Sequence, residues 1–295
     1  MLPNVVSDRR CGQVDEAAQA TEPETLIPLT LQPSKVLLAG DPQQLSTTLT
    51  SMAASRAGFG RPLLSRLMVD CARPASLLTV QYRMDPQISQ FPNGQFYGGA
   101  LVDSEGVRAR GPAPWSGDSW LGPCTFIDIN GSGARSGSNG GAESRDASGS
   151  KLNRPEAEAV ARIVARFHQH GLSLADSSQL RVITFYSAQV RTIRSALRAS
   201  RLAGAGAVSV HTVDGSQGAE ADVLVVSFVR SNPRGAIGFL SDAKRLNVAL
   251  TRPRRSLVMV GDADTLSKAG GAVGALLASM RTRGLIFPGA TVTAK

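Results

Sequence analysis

HTVDGSQGAEADVLVVSFVRSN, residues 211–232, and RLNVALTRPRRSLVMVGD, residues 245–262, decide how this chain folds. Each half sets one apolar, β-branched run beside polar residues: Val223 to Val229 next to Gln217, Gly218 and Glu220, and Leu257 to Val260 next to Asn247, Arg252 and Asp262. Near-continuous Val/Leu runs separated by a helical pattern read as buried strands of a parallel sheet, so the fold class is α/β. Ligands of such sheets bind where loops meet strand ends, which is where these polar residues fall. The intervening helix is expected to start near Ser241 as N-cap. It would carry Arg245 and Arg252 on one face and turn Leu246, Ala249 and Leu250 to the core. An arginine so placed can reach a phosphate, whereas Arg252, Arg254 and Arg255 could equally form a solvated basic cluster.

Three further strings stand upstream: VDEAAQ at 14–19, LLAGDPQQL at 37–45 and QYRMDPQIS at 81–89. Taken in order with TVDGSQGAEADV at 212–223 and RLNVALTRPRRSL at 245–257, they resemble motifs II, III, IV, V and VI of the superfamily 1 helicases. The form is that of the 5′-to-3′ branch containing the nonsense-mediated-decay helicase and senataxin. The resemblance implies a RecA-like P-loop NTPase fold and an ATP-dependent RNA or DNA helicase. ATP and Mg²⁺ would lie in a cleft between two RecA-like domains.

Carried over residue by residue, the resemblance gives Asp15 to the magnesium ion and Glu16 to the attacking water. Gln44 becomes the γ-phosphate sensor, Tyr82 a stacking partner of the nucleotide base, and Arg83 and Arg252 the two arginines that reach the γ-phosphate. Gly218 and Glu220 fall on the nucleotide side of motif V and Thr212 on the nucleic-acid backbone. Ala219 and Ala221 replace charged residues common in that motif, and Ser46 and Thr47 stand where the family usually has prolines.

The sequence departs from the family in two larger ways. The strand preceding motif II should be apolar, yet SDRRCGQV is mostly polar, so residues 1–13 read as foreign to the family pattern. A P-loop needs lysine directly after glycine, and Lys35, Lys151, Lys244, Lys268 and Lys295 all follow other residues. Motif I is absent, so the chain reads as the C-terminal part of a helicase.

Composition narrows the partners. The net charge of +9 and pI near 10.2 suit a polyanion, because arginine and lysine release counterions from phosphates. No apolar run approaches the ~20 residues of a membrane span, and the N-terminus lacks a signal-peptide pattern, so an intracellular protein, cytoplasmic or nuclear, is expected. Cys11, Cys71 and Cys124 form neither a disulfide framework nor a zinc pattern. His168 and His170 point to different helix faces, against a metal site.

Between the motifs, Pro23 to Leu29 reads as a short helix, Lys35 to Ala39 as a buried strand, and Arg61 to Met68 as a helix closing the first domain. Asp85 and Pro86 start another helix as N-cap and first helical residue. Residues 103–150 turn Gly-, Ser- and Pro-rich and read as a flexible segment around the strand Cys124 to Ile129. Within it GSGARSGSNGG misses the dinucleotide fingerprint by one residue. Asn153 and Glu156 make a capping-box-like start for a helix buried through Val160, Ile163, Val164 and Phe167. After the strand Leu180 to Phe185, a helix from Ala188 to Arg201 sets Arg191, Arg194, Arg198 and Arg201 beside an apolar stripe of Val190, Ile193 and Leu197. That basic stripe is either a solvated face or a phosphate-tracking surface for single-stranded RNA or DNA. A last helix is expected from Asp264 to Arg281.

The domain expectation is residues 1–78 as a remnant of the first RecA-like domain and 79–295 as a nearly complete second one. The alternative to an incomplete ATP-dependent helicase is a non-catalytic nucleic-acid-binding module made of that second domain.

Overall fold

The computed structural model describes residues 5–7, 11–47, 49–129, 143–216 and 218–293. The chain divides into two compact units, Met1–Leu78 and Thr79–Lys295.

In the first unit, β1 (Val5–Ser7), β2 (Cys11–Val14) and β3 (Lys35–Leu38) form a sheet in that order, antiparallel between β1 and β2 and parallel between β2 and β3. The last four residues of the polar stretch before motif II, Cys11–Val14, do make a strand. It buries only alternate positions, Gly12 and Val14, and leaves Cys11 and Gln13 exposed. β3 corrects the expectation of a buried strand. It lies at the sheet edge with Val36 46% and Leu37 53% exposed. Helix α1 (Glu22–Leu26) is started by Thr21 and Glu24, which cap each other reciprocally, and it tightens into a 3₁₀ turn at Ile27–Leu31. Helices α2 (Met52–Arg56) and α3 (Leu63–Val69) follow. Val14, Ala17, Ala18 and Leu64 make a small core backed by Leu38 and Met68.

In the second unit, the short strands β4 (Val80–Gln81) and β5 (Val102–Asp103) pair with each other. Helix α4 (Pro86–Phe96) lies between them in sequence, capped by the Asp85 carboxylate on Gln87 N. Helix α5 (Glu105–Arg108) leads to β6 (Cys124–Asp128), and β7 (Ser144–Arg145) pairs with β8 (Lys151–Leu152) ahead of α6 (Arg154–Gln169). Then come β9 (Leu180–Thr184), α7 (Ser187–Ala199), β10 (Ser209–Thr212), β11 (Ala221–Ser227), α8 (Ala243–Leu250), β12 (Pro253–Gly261), α9 (Ala263–Lys268), α10 (Gly271–Thr282) and β13 (Ile286–Pro288).

Six of these strands form one all-parallel sheet in the order β10-β9-β11-β12-β6-β13. A parallel sheet must be covered on both faces, and the Val/Leu runs allow it. Val182, Val223, Val225, Val258 and Val260 pack with α6 and α7 around Val160, Ile163, Val164, Phe167, Ile193 and Leu197. The alternate residues Leu224, Val226, Leu257 and Met259 point to the opposite face and are equally buried.

Several boundaries move. The helix before β12 begins at Ala243, not at Ser241, because the Asp242 carboxylate accepts from Lys244 N and Arg245 N. It ends at Leu250, so Arg252 lies beyond it and shares no helix face with Arg245. The basic helix stops at Ala199. The last helix is broken in two at Gly270 and Gly271, both at positive φ. Residues 103–129 are not a flexible loop. Val107, Trp115 and Leu121 are buried, Trp115 Nε1 donates to Ser256 Oγ at 2.7 Å, and Asp118 pairs with Arg166 at 2.6 Å. The Arg166 guanidinium holds the Asp118 carboxyl down to about 2. The GSGARSGSNGG tract lies outside the described residues.

Candidate functional site

In the first unit the two loops carrying Asp15, Glu16, Asp41 and Gln44 leave adjacent parallel strands at their carboxyl ends, the usual ligand edge of such a sheet. They are pressed together: a Cβ on Gly40 would lie 2.7 Å from Ala18 N and 3.0 Å from Ala17 N, so only glycine fits there. Ala17 N donates to Ala39 O at 2.8 Å. Asp15 and Glu16 are both exposed. Asp15 Oδ1 accepts from Glu16 N at 2.9 Å, Glu16 Oε2 from Gln19 Nε2 at 2.5 Å, and Asp41 Oδ2 from Gln44 Nε2 at 2.9 Å. Glu16 has φ 53°, a conformation that a non-glycine residue adopts only when its surroundings impose it.

In the second unit the polar residues divide between opposite ends of the sheet. At the amino ends of β11 and β12, Arg83 pairs with Glu220 and donates through Nη1 to Thr251 O at 2.9 Å. Arg254 bonds the other Glu220 oxygen at 3.3 Å and approaches Asp222 at 3.7 Å. Arg110 Nη1 donates to Arg83 O and Arg254 O, fixing both backbones. Arg252, only 7% exposed, sits in the same turn, its carbonyl accepting from Ala221 N. Residues 137 and 168 positions apart in sequence thus meet around one guanidinium. Tyr82, beside it in the chain, is 74% exposed. Gly218 has φ +71° and open space around it, while Gln217 lies outside the described residues.

At the carboxyl ends, Thr212 Oγ1 accepts from Gly215 N at 3.2 Å and closes the turn that follows β10. Arg245 Nε donates to Asp214 Oδ1 at 2.9 Å, joining that turn to the start of α8. Asp262 and Asn247 turn out to be architectural. Asp262 caps α9 and accepts from Ser231 and Thr265, and Asn247 Nδ2 donates to Tyr97 OH at 2.9 Å.

The basic stripe on α7 is not uniform. Arg191 is paired with Asp146, and Arg194 Nη2 donates to Val210 O at 2.8 Å, which leaves Arg198 as the exposed position with neither role. His170 Nε2 lies 3.0 Å from Asp118 Oδ2, and His168 Nδ1 2.9 Å from Leu172 O.

Two family models described as AAA domain match residues 13–52 and 59–264, the second alone covering more than half of the chain. The chain is 42% identical over 258 residues to the probable helicase MAGATAMA 3 of Arabidopsis thaliana, covering 86% of this chain and 30% of that protein. It is 39% identical over 263 residues to the regulator of nonsense transcripts 1 homolog of Neurospora crassa, covering 86% and 23%. It is also 33% identical over 254 residues to helicase sen1 of Schizosaccharomyces pombe, covering 86% and 14%. The chain belongs to the superfamily 1 helicases, in the branch of the nonsense-mediated-decay helicase and senataxin. It spans less than a third of the length of each of these relatives. An arterivirus nonstructural protein 10 helicase superposes with a TM-score of 0.41 at 16% identity, over 86% of this chain and 40% of its own, too loosely to bear on the assignment.

Sequence reasoning missed part of what this chain builds. Glu156 is fully buried at the carboxyl end of β11, where its Oε2 accepts from Ser227 Oγ at 2.7 Å and from Val229 N at 2.8 Å. Burial pushes its carboxyl up to about 8. Asn153 does cap α6 as the pattern suggested, but the buried Glu156 carboxyl accepts from the Asn153 side-chain Nδ2 at 3.2 Å, and the Asn153 backbone N donates to Gln189 Oε1 instead. Arg230 is buried and paired with Glu143 at 2.6 Å, and Glu143 also pairs with Lys151. Nothing in the sequence around Arg230 announces this, because Glu143 lies 87 positions away.

Proposed function

We propose that this chain is part of the motor of an ATP-dependent helicase that couples ATP hydrolysis to movement along single-stranded RNA or DNA. The observation that carries the reading is the convergence of Arg83, Glu220, Thr251 and Arg254 at one end of the sheet. Arginines fixed by carboxylate and carbonyl partners are preorganised to meet phosphoryl charge at little further entropic cost. Asp15 fits a magnesium ion, since Mg²⁺ keeps several waters and needs only one or two carboxylates beside the nucleotide phosphates, and Asp15 is an exposed oxygen donor. When bound, the ion would neutralise phosphate charge. Glu16 would orient the attacking water, Gln44 would sense the γ-phosphate, and Tyr82 would stack on the base.

Two spans of the second unit run from one end of the sheet to the other. The segment from Thr212 to Glu220 and helix α8 are joined at the carboxyl side by Arg245 and Asp214, and at the amino side by the Ala221 to Arg252 hydrogen bond. A nucleotide-dependent shift of Glu220 or Arg252 is therefore linked, through α8 and the Arg245–Asp214 pair, to the turn after Thr212, the residue that the family resemblance gives to the nucleic-acid backbone.

Catalysis is expected to need a glycine-lysine phosphate loop, which this sequence does not contain. The purified chain should hydrolyse ATP at background rate with or without single-stranded nucleic acid. Stimulated turnover abolished by Glu16→Gln would contradict that expectation.

Binding is expected to be weak, indifferent to sequence and steeply salt-dependent, because phosphate contacts position a strand without reading it. Replacing Arg191 and Arg198 by Gln should make the log–log salt slope shallower by roughly 0.7 for each phosphate that is no longer neutralised. Arg194, bound to Val210 O, should contribute less. An unchanged slope in titrations at three salt concentrations would reduce the stripe to a solvated face. A shallower slope without nucleotide binding would favour the non-catalytic module.

A further inference from the structure

Phe239 is 63% exposed, although Leu240, which follows it in the 3₁₀ turn Gly238–Ser241, and Ile237, which caps that turn, are both buried. The turn is held from beneath. Tyr186 OH donates to Ile237 O at 3.2 Å, and a Cβ on Gly238, at φ +56°, would lie 2.8 Å from Arg230 Nη1 and 3.2 Å from Tyr186 OH. Arg230 in turn is buried and locked by Glu143. The ring of Phe239 lies 5.8 Å from that of Tyr186, and the Arg245 guanidinium carbon stands 5.8 Å from the Phe239 ring centre. Arg245 is itself fixed by Asp214 and Asp242. An apolar ring is thus held out in water by a rigid turn, a tyrosine and an arginine.

Its position matters as much as its exposure. Tyr186 ends the segment leaving β9, and Asp214 follows Thr212 at the end of the neighbouring β10. Helix α7 starts at Ser187, so Arg191 stands about one helical turn along from Tyr186. Basic side chains on one side and an exposed ring on the other match the two chemistries of a single strand, phosphates and base faces.

We infer that Phe239 is a stacking platform for a nucleobase of the bound single strand, with Tyr186 and Arg245 as its positioning residues. The inference rests on the single-strand reading above. Stacking on a preformed ring tolerates any base, which suits a motor that must move over every sequence.

The test uses fluorescence anisotropy of the purified chain with two labelled strands of equal length, an oligothymidylate and an abasic oligonucleotide. Phe239→Ala is expected to weaken oligothymidylate binding roughly 5- to 150-fold and to leave the abasic strand within twofold, while Phe239→Trp retains both. Retained abasic binding also reports that the variant is folded. If Phe239→Ala changes both strands equally or neither, the platform is wrong and the single-strand reading stands. If the unsubstituted chain binds neither strand at low salt, that reading falls and the platform with it.

Discussion

In a complete motor that supplies the phosphate loop, Arg252→Ala and Arg83→Ala should each lower nucleic-acid-stimulated ATP turnover by about 10³- to 10⁵-fold, the usual cost of losing an arginine that meets transition-state charge. Lysine should rescue neither, since it lacks the planar fork that spans two oxygens. The two positions should differ in their side effects. Arg83 is held by Glu220 and Thr251 O on a half-buried surface, so its removal frees Glu220 to bond Arg254 alone and should cost little stability. Arg252 is nearly buried, so its truncation should also lower the melting temperature. Turnover within a few-fold of the parent in Arg252→Ala, with single-strand affinity unchanged, would remove that residue from the nucleotide side.

What the sequence disclosed follows from the range of the interactions involved. The parallel sheet was legible because burial on both faces forces unbroken Val/Leu runs, and β11, β12 and α6 form where those runs and the Asn153 cap predicted. Local chemistry also set the start of α4, where Asp85 and Pro86 supply the cap and the first φ angle. Errors came where a residue distant in sequence decides. β3 reads as buried because Val-Leu-Leu is apolar, yet burial depends on what covers it, and it forms the sheet edge. The 103–129 stretch reads as loop from its Gly and Pro content. It is packed because Trp115 finds Ser256 and Asp118 finds Arg166. Family resemblance supplied roles for Arg83 and Glu220, but no spacing rule could show that they form one ion pair. Arg252 illustrates the limit of periodicity, since a helix that stops at Leu250 leaves the arginine off the predicted face.

Glu156 should make the stability of the second unit depend on pH in a direction opposite to that of an ordinary paired carboxylate. Its carboxyl titrates near 8 when folded, against an ordinary value of 4.5, because burial disfavours the charge more than the Ser227 and Val229 hydrogen bonds favour it. The folded form therefore keeps a proton that the unfolded chain releases. Its contribution is fully present below about pH 4.5 and is lost as pH rises to about 8, on the order of several kcal/mol across the window. His211 works the other way. Burial and the nearby Arg194 and Arg181 lower its pKa, so its contribution grows as pH rises toward the ordinary histidine value. The informative quantity is therefore the difference between the parent and Glu156→Gln, which removes the titration and keeps the shape. In urea unfolding at pH 5, 7 and 9, the parent should lose stability relative to this variant at each step. Glu156→Ala should cost about 3 kcal/mol or more at pH 5, because Ser227 Oγ, Val229 N and Asn153 Nδ2 all lose a buried acceptor. Part of that cost should be offset at Val229, a β-branched residue at φ 71° whose N donates to the same carboxyl and which can relax once the carboxyl is gone. A parent and Glu156→Gln that stay parallel from pH 5 to 9 would mean that the buried carboxyl is already ionised at pH 5, with its hydrogen bonds outweighing its burial.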